Sequence, residues 1–191
     1  VWTVTIIGEV PKGTAVMRSG AKVGDVVGVT NYVGYAATGL GALSYNLVGY
    51  DMTKVGHQRP EPQIELGQKL RQLGIHSMND ISDGLGSELN EIATASNVSI
   101  VFEEQAIPLH EETYELAKHL QTNPVDYALY GGEDFQLVFT APKSLLSELE
   151  KLAGITLIGE VLSGPPRVQM VTSDKTIKTV EAKGYNHFHE G

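Results

Sequence analysis

The chain has 191 residues, 41% hydrophobic and 19% charged, an ordinary globular composition that excludes intrinsic disorder and collagen-like repeats. It has no cysteine, which excludes disulfides, thiolate-held metals and cysteine nucleophiles. Lys and Arg number 14 against 23 Asp and Glu, a net charge of −9 that argues against wrapping nucleic acid but leaves phosphorylated ligands open where cations mediate.

No apolar run approaches the ~18–20 residues of a membrane span. The chain starts at Val1 without a methionine, in a strand-like run, and reads as a piece of a longer protein. Residues 2–7 (WTVTII) alternate and are β-branched, which predicts a strand. Residues 8–24 carry Pro11, Gly13, Gly20 and Gly24 and read as turns, and 26–30 (VVGVT) as a second strand. Ala36, Leu40, Leu43 and Leu47 form one stripe, predicting a helix over 34–48 that ends at Gly49. The polar stretch 50–59 reads as a loop. Leu66, Leu70 and Leu73 mark a helix closed by Gly74, followed by a short strand over 75–78.

Leu85, Leu89, Ile92 and Ala93 mark a third helix, and 98–102 a strand. A helix is expected over 111–121, and a strand over 135–140 (FQLVFT). Pro142 opens a helix bearing Leu145, Leu149 and Leu152, ended by Gly154. Short strands are expected near 155–161, 168–171 and 176–180. The class is therefore α/β or α+β, with helices packed on a sheet and a boundary near 20–24.

Four stretches could carry chemistry. Asn79-Asp80-Ile81-Ser82-Asp83-Gly84-Leu85-Gly86 follows a strand and opens a helix. A helix N-terminus suits an anion, and two carboxylates beside it suit Mg²⁺ bridging to phosphate. The same residues also read as a plain N-cap through Ser82 or Asp83. Tyr130-Gly131-Gly132-Glu133-Asp134-Phe135 puts two acids at the mouth of an apolar strand, to orient an amine or metal or to form a solvated rim. Arg18-Ser19-Gly20 could grip phosphate or simply be a surface loop. Gly184-Tyr185-Asn186-His187-Phe188 could close over a flat ligand or dock on the core. The sequence lacks H-E-x-x-H, G-x-x-x-x-G-K-[ST] and G-x-S-x-G patterns, which disfavours zinc hydrolase, P-loop and nucleophile-elbow chemistry.

The order RSGAKVGD (18–25), RPEPQIELG (59–67), NDISDGL (79–85), YGGEDFQL (130–137) and GYNHF (184–188) resembles thiamine-monophosphate kinase over nearly the whole chain. Relatives of the same fold, such as aminoimidazole ribonucleotide synthetase, selenophosphate synthetase and the hydrogenase-maturation dehydratase, differ at DISDGL. The resemblance implies a cytoplasmic, ATP- and Mg²⁺-dependent phosphorylation of thiamine monophosphate to thiamine diphosphate. It implies a homodimeric, two-domain subunit, with no nucleic acid or membrane partner. Its N-terminal domain carries a Gly-Asp-Asp metal motif absent from this sequence. By this resemblance, residues 1–20 are the last strand and linker of that domain, and 21–191 are a C-terminal α/β domain of the aminoimidazole ribonucleotide synthetase-like fold, inactive alone.

Residue by residue, the resemblance makes Asp80 and Asp83 magnesium ligands. It makes Arg18 and Ser82 ATP contacts, Glu133 a substrate contact, and Tyr185 the aromatic residue against the thiamine moiety, with Phe188 its near neighbour. One departure is Asn31-Tyr32-Val33-Gly34, where many relatives run from the strand directly into glycine. The alternatives are another ATP-dependent synthetase or dehydratase of the same fold, or a non-catalytic ligand-binding domain.

Overall fold

The structure, a computed structural model, describes residues 3–183. Its seven strands are β1 (Val26–Thr30), β2 (Ser77–Ile81), β3 (Ser99–Glu103), β4 (Gln136–Ala141), β5 (Ile155–Leu162), β6 (Arg167–Val171) and β7 (Ile177–Thr179). They form one mixed sheet in the order β2-β4-β1-β5-β3-β6-β7. Every pairing is antiparallel except β3 with β6. The helices are α1 (Tyr35–Ser44), α2 (Asp51–Gln58), α3 (Ile64–Leu73), α4 (Leu85–Ser96), α5 (Glu111–Leu120), α6 (Pro124–Tyr130) and the single turn α7 (Leu146–Leu149).

Strand alternation divides the apolar residues between two cores, because successive side chains face opposite sides of a sheet. The larger core joins Val27, Val29, Ile81, Ile100 and Phe102 to Leu85, Leu89 and Ile92 of α4 and to Ala128 and Leu129 of α6. The smaller core sets Val26, Phe139 and Ala141 against Leu70 of α3 and Leu149 of α7. Helix α1 packs on α2, α5 and α6, extending the layer on the α4 side. Gly74 caps α3 in the left-handed conformation, as the sequence predicts.

Several expectations are corrected. The segment 3–10 forms no strand, and Val4, Ile6 and Ile7 are exposed. Its backbone has no neighbouring strand among the described residues, and alternation alone does not make a sheet. The stretch 50–59 is helical rather than a loop, and α6 was not anticipated. Helix α1 stops at Ser44 because Asn46, at φ 52°, takes the left-handed turn before Gly49 is reached. The strand expected over 75–78 runs on to Ile81, so the acidic motif lies partly on a strand. The helix expected after Pro142 is only a 3₁₀ turn followed by α7.

Candidate active site

The acidic motif leaves β2 at Ile81, turns through Ser82, Asp83 and Gly84, and enters α4 at Leu85. Beside it, the Gly-Gly segment leaves α6 and enters β4, which pairs with β2. The two are joined through their backbones. The Glu133 amide donates to the Ser82 carbonyl at 2.9 Å, and the Phe135 amide to the Ile81 carbonyl at 2.9 Å. A Cβ at position 132 would lie 2.3 Å from the Ser82 oxygen, so only glycine permits this approach. Glu133 and Phe135 are both held at positive φ, 67° and 50°. Such conformations cost about 1–3 kcal/mol each and persist where the surroundings over-determine them, as these bonds do.

This junction brings Ser82, Asp83 and Glu133 to the rim of a cavity of about 720 Å³. Leu40, Tyr45, Tyr127 and Tyr130 supply its apolar and aromatic wall, with His57 at the edge. Asp80 is placed differently. It is exposed on β2, on the side opposite the buried Asn79 and Ile81, and lines a second cavity of about 420 Å³ with Met78, Phe135 and Leu137. Arg18 sits in a 3₁₀ turn docked on α4, where Ser96 Oγ donates to its carbonyl at 3.0 Å and its guanidinium pairs with Glu91. Tyr185 and the rest of 184–188 lie outside the described residues.

Two further acids belong to the site: Glu88, which no sequence motif marks, and Asp134, which stands next to Glu133 in the Gly-Gly motif. Glu88, on the first turn of α4, is buried and accepts hydrogen bonds from the Asp83 amide at 3.2 Å, the Ser82 hydroxyl at 3.4 Å and the Asn79 side chain. Burial pushes its carboxyl up to about 7. The Asp83 amide pulls against this, while Glu91, Asp80 and Asp83 push the same way. The sequence places Asp134 at a strand mouth, to orient an amine or metal or to form a solvated rim, and the structure buries it. It accepts from the Gly34 amide at 2.5 Å and the Ala36 amide at 2.8 Å, tying the entrance of β4 to the start of α1. Burial pushes it up to about 6, against the pull of those amides. The sequence signal for Asp134 is its place two residues before the apolar strand β4.

The plain N-cap reading of Ser82 and Asp83 does not hold. The N-cap of α4 is Gly84, and no side chain caps it. Among the described residues Asp80 and Asp83 make no ion pair. No three His, Asp or Glu side chains there are grouped so as to hold a metal ion. The donor chemistry is all oxygen and under-neutralised. It suits a hard cation held by one or two carboxylates and completed by ligand phosphates, not a closed protein cage.

Residues 22–171 match the profile of AIR synthase related protein, C-terminal domain. The chain belongs to the AIR synthase related family. Within it, the chain is 39% identical over 197 aligned positions to thiamine-monophosphate kinase of Bacillus subtilis, which covers 97% of this chain and 59% of that protein. The thiamine-monophosphate kinase of Escherichia coli K12 is 34% identical over the same shares. The chain thus spans a little under three fifths of the curated relatives it matches. In structure it resembles thiamine-monophosphate kinase from Stenotrophomonas maltophilia, with a TM-score of 0.78 at 30% identity over 84% of this chain and 54% of that one. It resembles AaThiL complexed with AMPPCP and TMP equally, with a TM-score of 0.78 at 34% identity over 91% and 54%. Escherichia coli HypE, a hydrogenase maturation protein, shares the fold at 19% identity and a TM-score of 0.75. The AIR synthase-like architecture expected from the motifs is therefore present, with a mixed sheet and helices packed on it.

Proposed function

We propose that the chain is the C-terminal portion of a kinase that transfers the γ-phosphoryl group of ATP to thiamine monophosphate. The observation that carries this reading is the joined backbone of the two motifs, which sets Ser82, Asp83 and Glu133 on one aromatic-walled cavity. Similarity to thiamine-monophosphate kinases along nearly all of the chain supports it. Residues 1–20 belong, on this reading, with a preceding domain that forms the dimer.

A phosphate oxygen of thiamine monophosphate attacks the γ-phosphorus of ATP in line, the bond to the β-phosphate oxygen breaks, and ADP leaves. The attacking oxygen is already ionised near neutral pH, so no dedicated base is required. Mg²⁺, when bound, screens the repulsion of two anionic reactants and stabilises charge on the transferring group. From this chain, Asp83 at the rim of the larger cavity and Asp80 over the second cavity would each offer carboxylate oxygens to such a cation. Ser82 and Arg18 orient the nucleotide phosphates. Glu133 accepts from the amino group of the thiamine pyrimidine, with the tyrosine wall around the rings. Catalysis is then mostly positioning and electrostatics. The 191-residue chain alone is expected to bind ligands without forming thiamine diphosphate, because the resemblance puts the remaining metal ligands in the Gly-Asp-Asp motif of another domain.

Titration calorimetry tests the reading. Thiamine monophosphate and Mg²⁺·AMPPCP should each bind the purified chain. Glu133→Ala should weaken thiamine monophosphate about tenfold or more while leaving Mg²⁺·AMPPCP within about twofold, the loss expected of one charged hydrogen bond. Equal loss for both ligands, or no binding of either, would sink the assignment.

A further inference from the structure

We propose that Glu88 is the positioning residue that fixes Ser82 and Asp83 at the cavity rim and locks them to Arg18. This rests on the functional reading above, since it takes those three residues as nucleotide and metal contacts.

Glu88 stands on the first turn of α4, and helical side chains lean toward their own N-terminus. Its carboxylate therefore lies back over the turn that precedes the helix. One oxygen, Oε1, receives both the Asp83 amide and the Ser82 hydroxyl. The other, Oε2, receives Asn79 Nδ2. That same Nδ2 donates its second hydrogen to Glu91 at 3.1 Å, and Glu91 pairs with Arg18. An unbroken line of polar contacts thus runs from Arg18 through Glu91, Asn79 and Glu88 to Asp83. It links the 3₁₀ turn before β1, the edge strand β2 and helix α4.

The chemistry of the link requires a carboxylate. Glu88 is 3% exposed and touches no cation among the described residues, so stability does not recommend a charge there. What it supplies is an acceptor on both sides, for donors arriving from two directions. A glutamine would set its amide hydrogens against those of Asn79. An aspartate, one methylene shorter, would not span from α4 to the Asp83 amide.

The test uses Glu88→Gln and Glu88→Asp in the purified chain. Without ligand, the Asp83 amide should exchange its hydrogen about tenfold faster in Glu88→Asp than in the parent protein. Mg²⁺·AMPPCP affinity should fall about tenfold in both variants, with thiamine monophosphate within about twofold. Asn79→Ala keeps the Glu88–Asp83 contact and cuts the line to Arg18. It should lower nucleotide affinity about threefold and leave Asp83 exchange unchanged. Unchanged Asp83 exchange in Glu88→Asp overturns the proposal. So does an equal loss for both ligands, which would mark Glu88 as merely structural. Should the glutamate variants fail to fold, undiminished nucleotide affinity in Asn79→Ala overturns it. A parent protein that binds no Mg²⁺·AMPPCP sinks the functional reading instead, and the exchange measurement still decides whether Glu88 holds Asp83.

Discussion

Asp134 shows how a single side chain couples the site to the fold. Its carboxylate receives the amides of Gly34 and Ala36 from a buried position, so α1 and the Gly-Gly segment share one anchor. Burial raises its carboxyl from 3.8 to about 6, so the folded protein keeps the proton to higher pH than the unfolded chain does. Its contribution to stability is then fully present below about pH 4 and is lost as pH rises through about 6. Asp134→Asn cannot ionise and leaves one amide facing an NH₂ group, at a cost of about 1–3 kcal/mol. Urea unfolding of the two proteins should show their stability gap narrowing between pH 4 and 6. A flat or widening gap would contradict the burial-driven shift. The motif residues were legible because their spacing is distinctive. The burial of Asp134, itself within a motif, and of Glu88 was not, since an acid beside a turn and a glutamate in a helix both look solvated until the fold buries them.

At the scale of elements, legibility followed the apolar stripe. Helices α3 and α4 carry leucines and isoleucine at helical spacing, and the structure buries Leu70, Leu85, Leu89 and Ile92. Helix α2 has no such stripe because it docks by close backbone approach. A Cβ at Gly39 of α1 would lie 2.0 Å from the Thr53 carbonyl oxygen, and Thr53 in turn is buried and bonded to Glu112. Helix α6 is not predicted although its start carries cap signals, with Asn123 accepting from the Val125 amide at 3.1 Å and Pro124 in the first turn. The stretch 2–7 failed the other way, with a strand pattern and no partner for its described part. Gly39→Ala should therefore lever α2 off α1 and lower stability by about 1–3 kcal/mol, the cost of overpacking against backbone. Circular dichroism melts would measure it, and an unchanged midpoint would show that α2 is not held by this contact.

For the molecule as a whole, a net charge of −9 and the two anionic ligands proposed above make cation dependence the expected signature. Mg²⁺ and AMPPCP together should raise the melting temperature by about 5 °C at saturating ligand, and AMPPCP with EDTA by less than about 1 °C. Equal shifts under both conditions would remove the need for a bridging cation. No helix among the described residues is long and apolar enough to cross a membrane.

The strand order carries a kinetic consequence. Of the neighbours in β2-β4-β1-β5-β3-β6-β7, only β6 and β7 are also consecutive along the chain. Every other ladder waits for a distant segment, and the β2–β4 seam that builds the cavity rim is among them. Such topology places the chain among slow folders, because loop closure must precede any reward from pairing. A ribosome-bound chain that has emerged only through α5 still lacks β4 and cannot form the rim at all. On the proposed function, ligand binding is therefore a late event in the life of this molecule, and its appearance after dilution from denaturant would time the closing of the sheet.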